Sequence, residues 1–396
     1  MNRGIKDRVA IVGMGCTKFG ELWDKSAADL IVDAGYEAFE DAGIEPKDVD
    51  AAWFGCWQEV SGMAGIGMAA LRLQYKPITR VENMCATGTD ALRNAAYAVA
   101  SGAIDIGLAL GVEKLKDMGF AGLVSQPPPG TAGVVGVGGT APGVFAMLAT
   151  RYFGCYNIPP DDGKRMLAHV SMKSHHNGNM NPKAHFHREV TIEQVMSAPI
   201  IAWPLGLFDC CGVSDGSSAA IVVRAEDAKK FRPDPVYIKA VQMCVGPAEG
   251  MVKTEYDFTH VEETYRAGLA AYAEAGIKNP REEIDMAEVH DCFSINESLV
   301  MEDLQFSKRG NVKEDIESGF FDLDGGLPVQ PDGGLKCFGH PVGASGLRMI
   351  YEMYLQLQGK AGPRQLKNPK LGLTQNLGGM PSGCVIAVSI LGLPGA

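Results

Sequence analysis

Cys85 stands between a strand-like run, Ile78-Thr79-Arg80-Val81, and a pattern in which Ala91, Leu92, Ala95, Ala98 and Val99 recur at helical spacing. A thiol at a helix start faces unpaired N–H groups and the positive end of the helix dipole, so a depressed pKa and a reactive thiolate are expected. Ala86, Thr87 and Gly88 leave room for backbone or substrate near the sulfur. Free cysteines are also among the most buried residues, and this segment alone leaves an inert core thiol open.

Three further groups bear chemistry. His340 lies between Gly339 and Pro341, in a constrained turn ahead of another helical pattern, where an imidazole could take a thiol proton. Val289-His290-Asp291-Cys292-Phe293 places a hydrogen-bond donor and a second thiol two residues apart at the end of a strand, or else a core cysteine and a histidine that caps a turn. Asn376-Leu377-Gly378-Gly379 through Gly383 reads as a glycine turn able to aim backbone N–H groups at an oxyanion, or as a plain strand connector.

The elements that must position these residues occur twice. Strand, helix and strand at Arg8 to Gly13, Ala27 to Ala42 and Ala51 to Gly55 are echoed at Pro235 to Val245, Val261 to Ala275 and Met286 to Val289. Asp41-Ala42-Gly43-Ile44-Glu45-Pro46 has a counterpart in Glu274-Ala275-Gly276-Ile277-Lys278-Asn279-Pro280. Cys85 to Arg93 lies over His340 to Arg348 at the constant offset 340 − 85 = 255, with Gly, Leu and Arg coinciding. Asp215 to Val223 likewise parallels Pro381 to Val388. Internal duplication is the economical reading, and pseudo-twofold symmetry would set Cys85 beside His340.

Three units follow: residues 1–115 with 205–232 as one half, 233–396 as the other, and an inserted loop domain at 116–204. The insertion is rich in Gly and Pro from Pro127 to Gly143 and reads as a mobile cover over the site. It lacks the strand and the Gly-Lys-Ser/Thr ending of a nucleotide phosphate loop. Met118, Phe120, Leu123, Phe145 and Met147 are apolar enough to line a pocket and could equally be packing.

With 396 residues, 46% hydrophobic and 21% charged, the chain is composed like an ordinary folded protein. A net charge of −11 with no basic stripe argues against a nucleic-acid partner. No apolar run reaches membrane-spanning length and none resembles a signal peptide, so a cytoplasmic location is expected. Ten cysteines without C-x-x-C pairs fit reduced thiols better than disulfides or a zinc site. Five histidines, His169, His175, His176, His185 and His187, share one stretch, but their irregular spacing is a poor metal signature.

Taken together, the Cys85 motif, His290-Asp291-Cys292-Phe293, Gly339-His340-Pro341-Val342-Gly343-Ala344-Ser345-Gly346 and Asn376-Leu377-Gly378-Gly379 resemble the thiolases, specifically the sterol-carrier-protein type and its bacterial and archaeal relatives. Lys173-Ser174-His175-His176 and Cys210-Cys211-Gly212 support the likeness, which spans nearly the whole chain. The resemblance implies an α/β fold of two halves in five α-β-α-β-α layers, with the insertion covering acyl-CoA. It implies that Cys85 is acylated, and that His340 activates it and, with a water held near His290, stabilises a thioester oxyanion. Cys292 becomes the proton shuttle, because Asn376 stands where common biosynthetic thiolases carry their acid/base cysteine. Gly378 or Gly379 would complete the second oxyanion hole.

The implied reaction is CoA-dependent cleavage of a β-ketoacyl-CoA with a medium, branched or aromatic acyl group, or its reverse Claisen condensation. Alternatives are an acetoacetyl-CoA thiolase working in the biosynthetic direction and a non-catalytic acyl-CoA- or lipid-binding subunit. A decarboxylating ketoacyl synthase or a hydroxymethylglutaryl-CoA synthase is disfavoured by Cys292. CoA enters as co-substrate, with no resident cofactor and no metal expected. A homodimer or larger assembly is expected, and a small companion with a zinc ribbon and an OB fold is a further partner the resemblance suggests.

Overall fold

The computed structural model describes residues 4–57, 63–119, 140–247, 256–381 and 383–396. The first half contains β1 (Val9–Cys16), α1 (Ala27–Ala42), β2 (Ala51–Gly55), β3 (Ile78–Val81), α2 (Thr87–Ala100) and β4 (Ile106–Lys114). Helices α3 (Ala141–Cys155) and α4 (Pro160–Asn179) and the hairpin β5 (Ile200–Ala202) and β6 (Leu205–Gly206) follow, before β7 (Asp215–Arg224). The second half runs β8 (Val236–Val245), α5 (Glu262–Ala275), β9 (Met286–Glu288), α6 (Ser294–Asp303), α7 (Ser345–Leu357), β10 (Leu371–Met380) and β11 (Gly383–Gly392).

Local signals account for the boundaries that position the rest. Ser26 and Asp29 form a capping box at the start of α1, and Gly43 ends the helix at φ +68°. Its counterpart α5 stops at Gly276 at φ +81°, the same left-handed exit. β1 is buried along its whole length, as befits a strand covered on both faces. Its side chains alternate: Ala10 and Val12 join the core under α1, whereas Val9 and Ile11 join the core with Leu92, Leu347 and Ile350.

The strands form one ladder in the order β3-β2-β4-β7-β1-β8-β11-β10-β9. Read outward from its centre, each half repeats the same order and direction. β1 pairs antiparallel with β7, β7 antiparallel with β4, and β4 parallel with β2. β8 pairs antiparallel with β11, β11 antiparallel with β10, and β10 parallel with β9. A parallel bridge from Ala287 to Val329 occupies the place that β3 holds beside β2. Within the ladder, among the described residues, the halves pair through Ala10 with Tyr237 and Ile11 with Val236.

Helices complete five layers. α1 covers one face of the first half's strands, and α5 covers β8 and β11 of the second. Between them lie α2 and α7, packed on each other and each reaching strands of both halves. The inserted segment differs from the loop expected: where described, it is largely helical, with α4 running 20 residues over α6. Thr140 caps α3 and Pro142 follows in its first turn, so the end of the Gly/Pro run is a helix start. The rest of that run, expected as a mobile cover, lies outside the described residues. The expected glycine turn at 376–383 is also revised, because β10 continues through Met380 opposite Gly383.

Candidate active site

Cys85 sits in a single 3-10 turn, Met84–Ala86, that opens directly into α2. Met84 is held at φ +50°, a left-handed backbone that a side chain adopts only when its surroundings impose it. The imposing neighbours are the start of α7 and the end of β10. A Cβ on Gly88 would stand 2.9 Å from Leu347 N, and one on Gly346 2.5 Å from Thr89 N, so bare backbone lets α2 and α7 cross this closely. The crossing brings Cys85 Sγ to 3.2 Å from His340 Nε2, both residues buried.

The other face of the imidazole fixes its proton. Ser345 Oγ donates to the Pro341 carbonyl at 2.8 Å and lies 2.7 Å from His340 Nδ1. With its hydrogen committed, Ser345 accepts from Nδ1–H, which leaves a lone pair on Nε2 facing the thiol. Burial, followed by the charge of Arg348, pulls His340 down to about 3, so the ring is neutral at rest.

The depressed Cys85 pKa expected at a helix start is not what the pocket produces. Burial first, and the Glu113 carboxylate second, push the thiol up to about 12, against the opposing pull of the Gly379 and Cys85 N–H groups. Desolvation of the sulfur outweighs the dipole of one helix. The resting pair is therefore a thiol and a neutral imidazole.

His290 reaches the same pocket, its ring 5.2 Å from that of His340 and nearly perpendicular. Its backbone is pinned, with N–H donating to Gln375 Oε1 and C=O accepting from Asn296 Nδ2, while its buried Nδ1 has no partner among the described residues. Burial, then His340, hold it well below the ordinary histidine value. One donor atom each of Cys85, His290 and His340 lie within 4.8 Å of one another. Cys292 is also buried, and desolvation, with the Cys211 and Cys85 sulfurs next, raises its thiol well above the usual range.

Gly378 and Gly379 end β10 against the nucleophile turn. A Cβ on Gly378 would stand 2.3 Å from Asn83 O, and Gly379 is at φ +101° with its N–H turned to Cys85 Sγ. Asn376 is a strut, its Oδ1 accepting from Thr89 Oγ1 at 2.7 Å. Of the six residues singled out from the sequence, Cys85, His290 and His340 thus meet directly, and Gly378 and Gly379 border the turn that carries Cys85.

The expected acyl lining fares differently. Phe145 is core, its ring 4.5 Å from that of Phe293, and Met147 is 57% exposed on the opposite side of α3. The Met118 side chain, Phe120 and Leu123 lie outside the described residues. The apolar wall beside Cys85 is instead Leu115 and Val342, with Trp57 and Val213 packed on them. The histidine stretch disperses: His169 pairs with Asp322, His176 with Glu189, His175 meets the Arg188 carbonyl and His185 meets Ser214. Ser345, Glu113 and the buried cations Lys336 and Arg348 were not singled out. Ser345 alone had a readable signal, five residues after His340 in the quoted motif.

Residues 9–226 match the model of the thiolase N-terminal domain and residues 247–392 that of the thiolase C-terminal domain-like family. The acetyl-CoA acetyltransferase of Methanothermobacter thermautotrophicus is 40% identical over 382 residues, 94% of this chain and 96% of that protein. Sterol carrier protein 2 of Gallus gallus is 31% identical, the match covering 98% of this chain and 73% of that protein. Among solved structures, the Ltp2-ChsH2(DUF35) aldolase superposes with a TM-score of 0.86 at 26% identity, covering 99% of each chain. Matched in both halves and along its length, the chain belongs to the thiolase family of acyltransferases.

Proposed function

We propose that the protein exchanges acyl groups between CoA thioesters and carbon through an acyl-Cys85 intermediate. The observation that carries this is the 3.2 Å contact of Cys85 Sγ with a His340 Nε2 whose lone pair is set by Ser345. As a β-ketoacyl-CoA binds, His340 takes the thiol proton while Cys85 attacks the keto carbon. The carbon–carbon bond breaks, its electron pair passes to the departing acetyl-CoA carbanion, and Cys292 supplies the proton. CoA then attacks the acyl-Cys85 thioester, its thiol proton returns to Cys292, and His340 reprotonates Cys85.

Oxyanions would form twice, and the pocket offers donors on two sides. His290 can donate toward a thioester oxygen, and the N–H groups of Gly379 and Cys85 toward the acyl-enzyme oxygen. CoA is the co-substrate, and each step runs on side chains and CoA. The wall of Trp57, Leu115, Val213 and Val342 beside the sulfur supports a short acyl group on Cys85. Acetoacetyl-CoA is then the first ester to test, ahead of branched or aromatic homologues.

Intact mass after incubation with acetyl-CoA or acetoacetyl-CoA is the direct test. An acyl adduct that disappears in Cys85→Ala is expected. An adduct that persists in Cys85→Ala sinks the scheme, and no adduct on the parent favours aldol cleavage or plain binding. The similar Ltp2-ChsH2(DUF35) aldolase carries a DUF35 protein in its name, which supports a companion of that class here. Co-purification that returns only a homo-oligomer would remove it.

A further inference from the structure

A thiol that shuttles a proton must spend part of each cycle as a thiolate, and burial makes that charge costly for Cys292. The cations nearby are mostly committed. Lys173 is paired with Glu297, Lys164 with Asp209, and Arg348 with both Glu288 and Asp332.

Lys336 is arranged differently. It lies in the short turn Gly334–Cys337, with its side chain 0% exposed. Its Nζ donates to the Asp291 carbonyl at 3.5 Å and stands 3.8 Å from Asp291 Oδ2, a long contact for an ion pair. The Asp291 carboxylate also accepts from the Leu335 and Lys336 N–H groups, at 2.6 and 3.3 Å, so the ammonium is one of several partners it has. The ammonium thus rests against the peptide that joins Asp291 to Cys292. On the far side of Cys292, its own carbonyl accepts from Cys211 N–H at 2.9 Å. Around Cys292 stand Asp291 beside it, Cys211 across from it, Cys85 in the turn before α2, and Lys336, the one cation of the four.

We propose that Lys336 is the positioning cation of Cys292: its buried ammonium, anchored on the Asp291 carbonyl, fixes the His290–Cys292 segment and balances the charge Cys292 bears between proton transfers. Lys336 acts through Cys292 and exchanges no proton with substrate. The inference rests on the shuttle role given to Cys292 above.

The test reads Cys292 without turnover. In a Cys85→Ala background, alkylation of Cys292 by iodoacetamide is followed by peptide mass mapping at one mildly alkaline pH, with and without Lys336→Met or Lys336→Gln. Removing the cation raises the thiol, so the rate should fall about tenfold or more, a pKa unit or greater. Lys336→Gln keeps a donor for the Asp291 carbonyl without the charge and should be as slow as Lys336→Met. If Lys336→Met does not fold, Lys336→Gln against the parent decides. An unchanged rate in either variant overturns the inference, and a parental rate in Lys336→Gln reduces Lys336 to a hydrogen-bonding strut. Failure of the shuttle reading shows elsewhere, as an undiminished carbon–carbon step in Cys292→Ala.

Discussion

Ser345 Oγ stands 2.7 Å from His340 Nδ1 while giving its own hydrogen to the Pro341 carbonyl, so one hydroxyl decides which nitrogen of the base is free. In Ser345→Ala the ring loses that restraint and spends time in the unproductive tautomer. A neutral hydrogen bond is worth about 0.5–1.5 kcal/mol, which corresponds to ~3–10-fold. Cys85 acylation by acetyl-CoA, followed by quenched mass spectrometry, should slow by that factor with affinity for CoA retained. An unchanged acylation rate would show that the tautomer is set by something else.

Because burial and Glu113 hold Cys85 up near 12, its thiolate fraction is small at neutral pH and grows with alkalinity. Alkylation of Cys85 by iodoacetamide should still be climbing above 9.0, the ordinary thiol value, with no plateau near neutrality. Glu113→Gln removes the carboxylate charge and should move the curve to lower pH. A plateau near pH 7 would instead restore the low-pKa thiolate that the helix start suggests.

Gly378 has no room for a side chain, since its Cβ would meet Asn83 O at 2.3 Å, immediately ahead of the nucleophile turn. Gly378→Ala should displace Cys85 from His340 and from the Gly379 N–H while leaving the sheet intact. Misplacement on the order of 1 Å costs about 10²-fold. Thiolysis of acetoacetyl-CoA should fall by that order with an unaltered far-ultraviolet circular dichroism spectrum. Parental turnover in Gly378→Ala would mean that the turn does not rest on β10.

His175 reports on stability rather than chemistry. Its ring is buried, meets the Arg188 carbonyl through Nδ1, and is pulled by burial from 6.5 to about 4. Below 6.5 the unfolded chain takes the proton first, so this residue's effect is to lower stability as pH falls from 6.5 toward 4. At 1.36 kcal/mol per unit the full effect is about 3 kcal/mol. His175→Gln keeps a donor for the Arg188 carbonyl and should lose that much less stability over the window, read by urea unfolding at a series of pH values. Parallel pH profiles for the two proteins would show that the ring is charged in the fold.

The Cys85–His340 contact was legible because the duplication is written in the residues at an offset of 255, and helix starts that match in sequence are brought together in space. What the offset does not carry is environment. Arg93 and Arg348 occupy equivalent positions, yet Arg93 is part-exposed beside Asp90 while Arg348 is wholly buried between Glu288 and Asp332. The charge state of Cys85 was misread for the same reason. Periodicity shows the dipole of α2, but the carboxylate of Glu113 and the desolvation by β10 and α7 arrive from remote parts of the chain. The glycine run before β11 misled because small residues serve strands that pass close to another backbone as well as turns.

The two-pair junction of β1 with β8 gives the molecule the form of a twofold dimer closed into one chain. A true dimer would be bound to keep each residue twice, a nucleophile and a base in both copies. Joining the copies lifted that obligation. One helix start presents Cys85 and the other His340, so a single site sits near the broken axis, with each half supplying a different group to it.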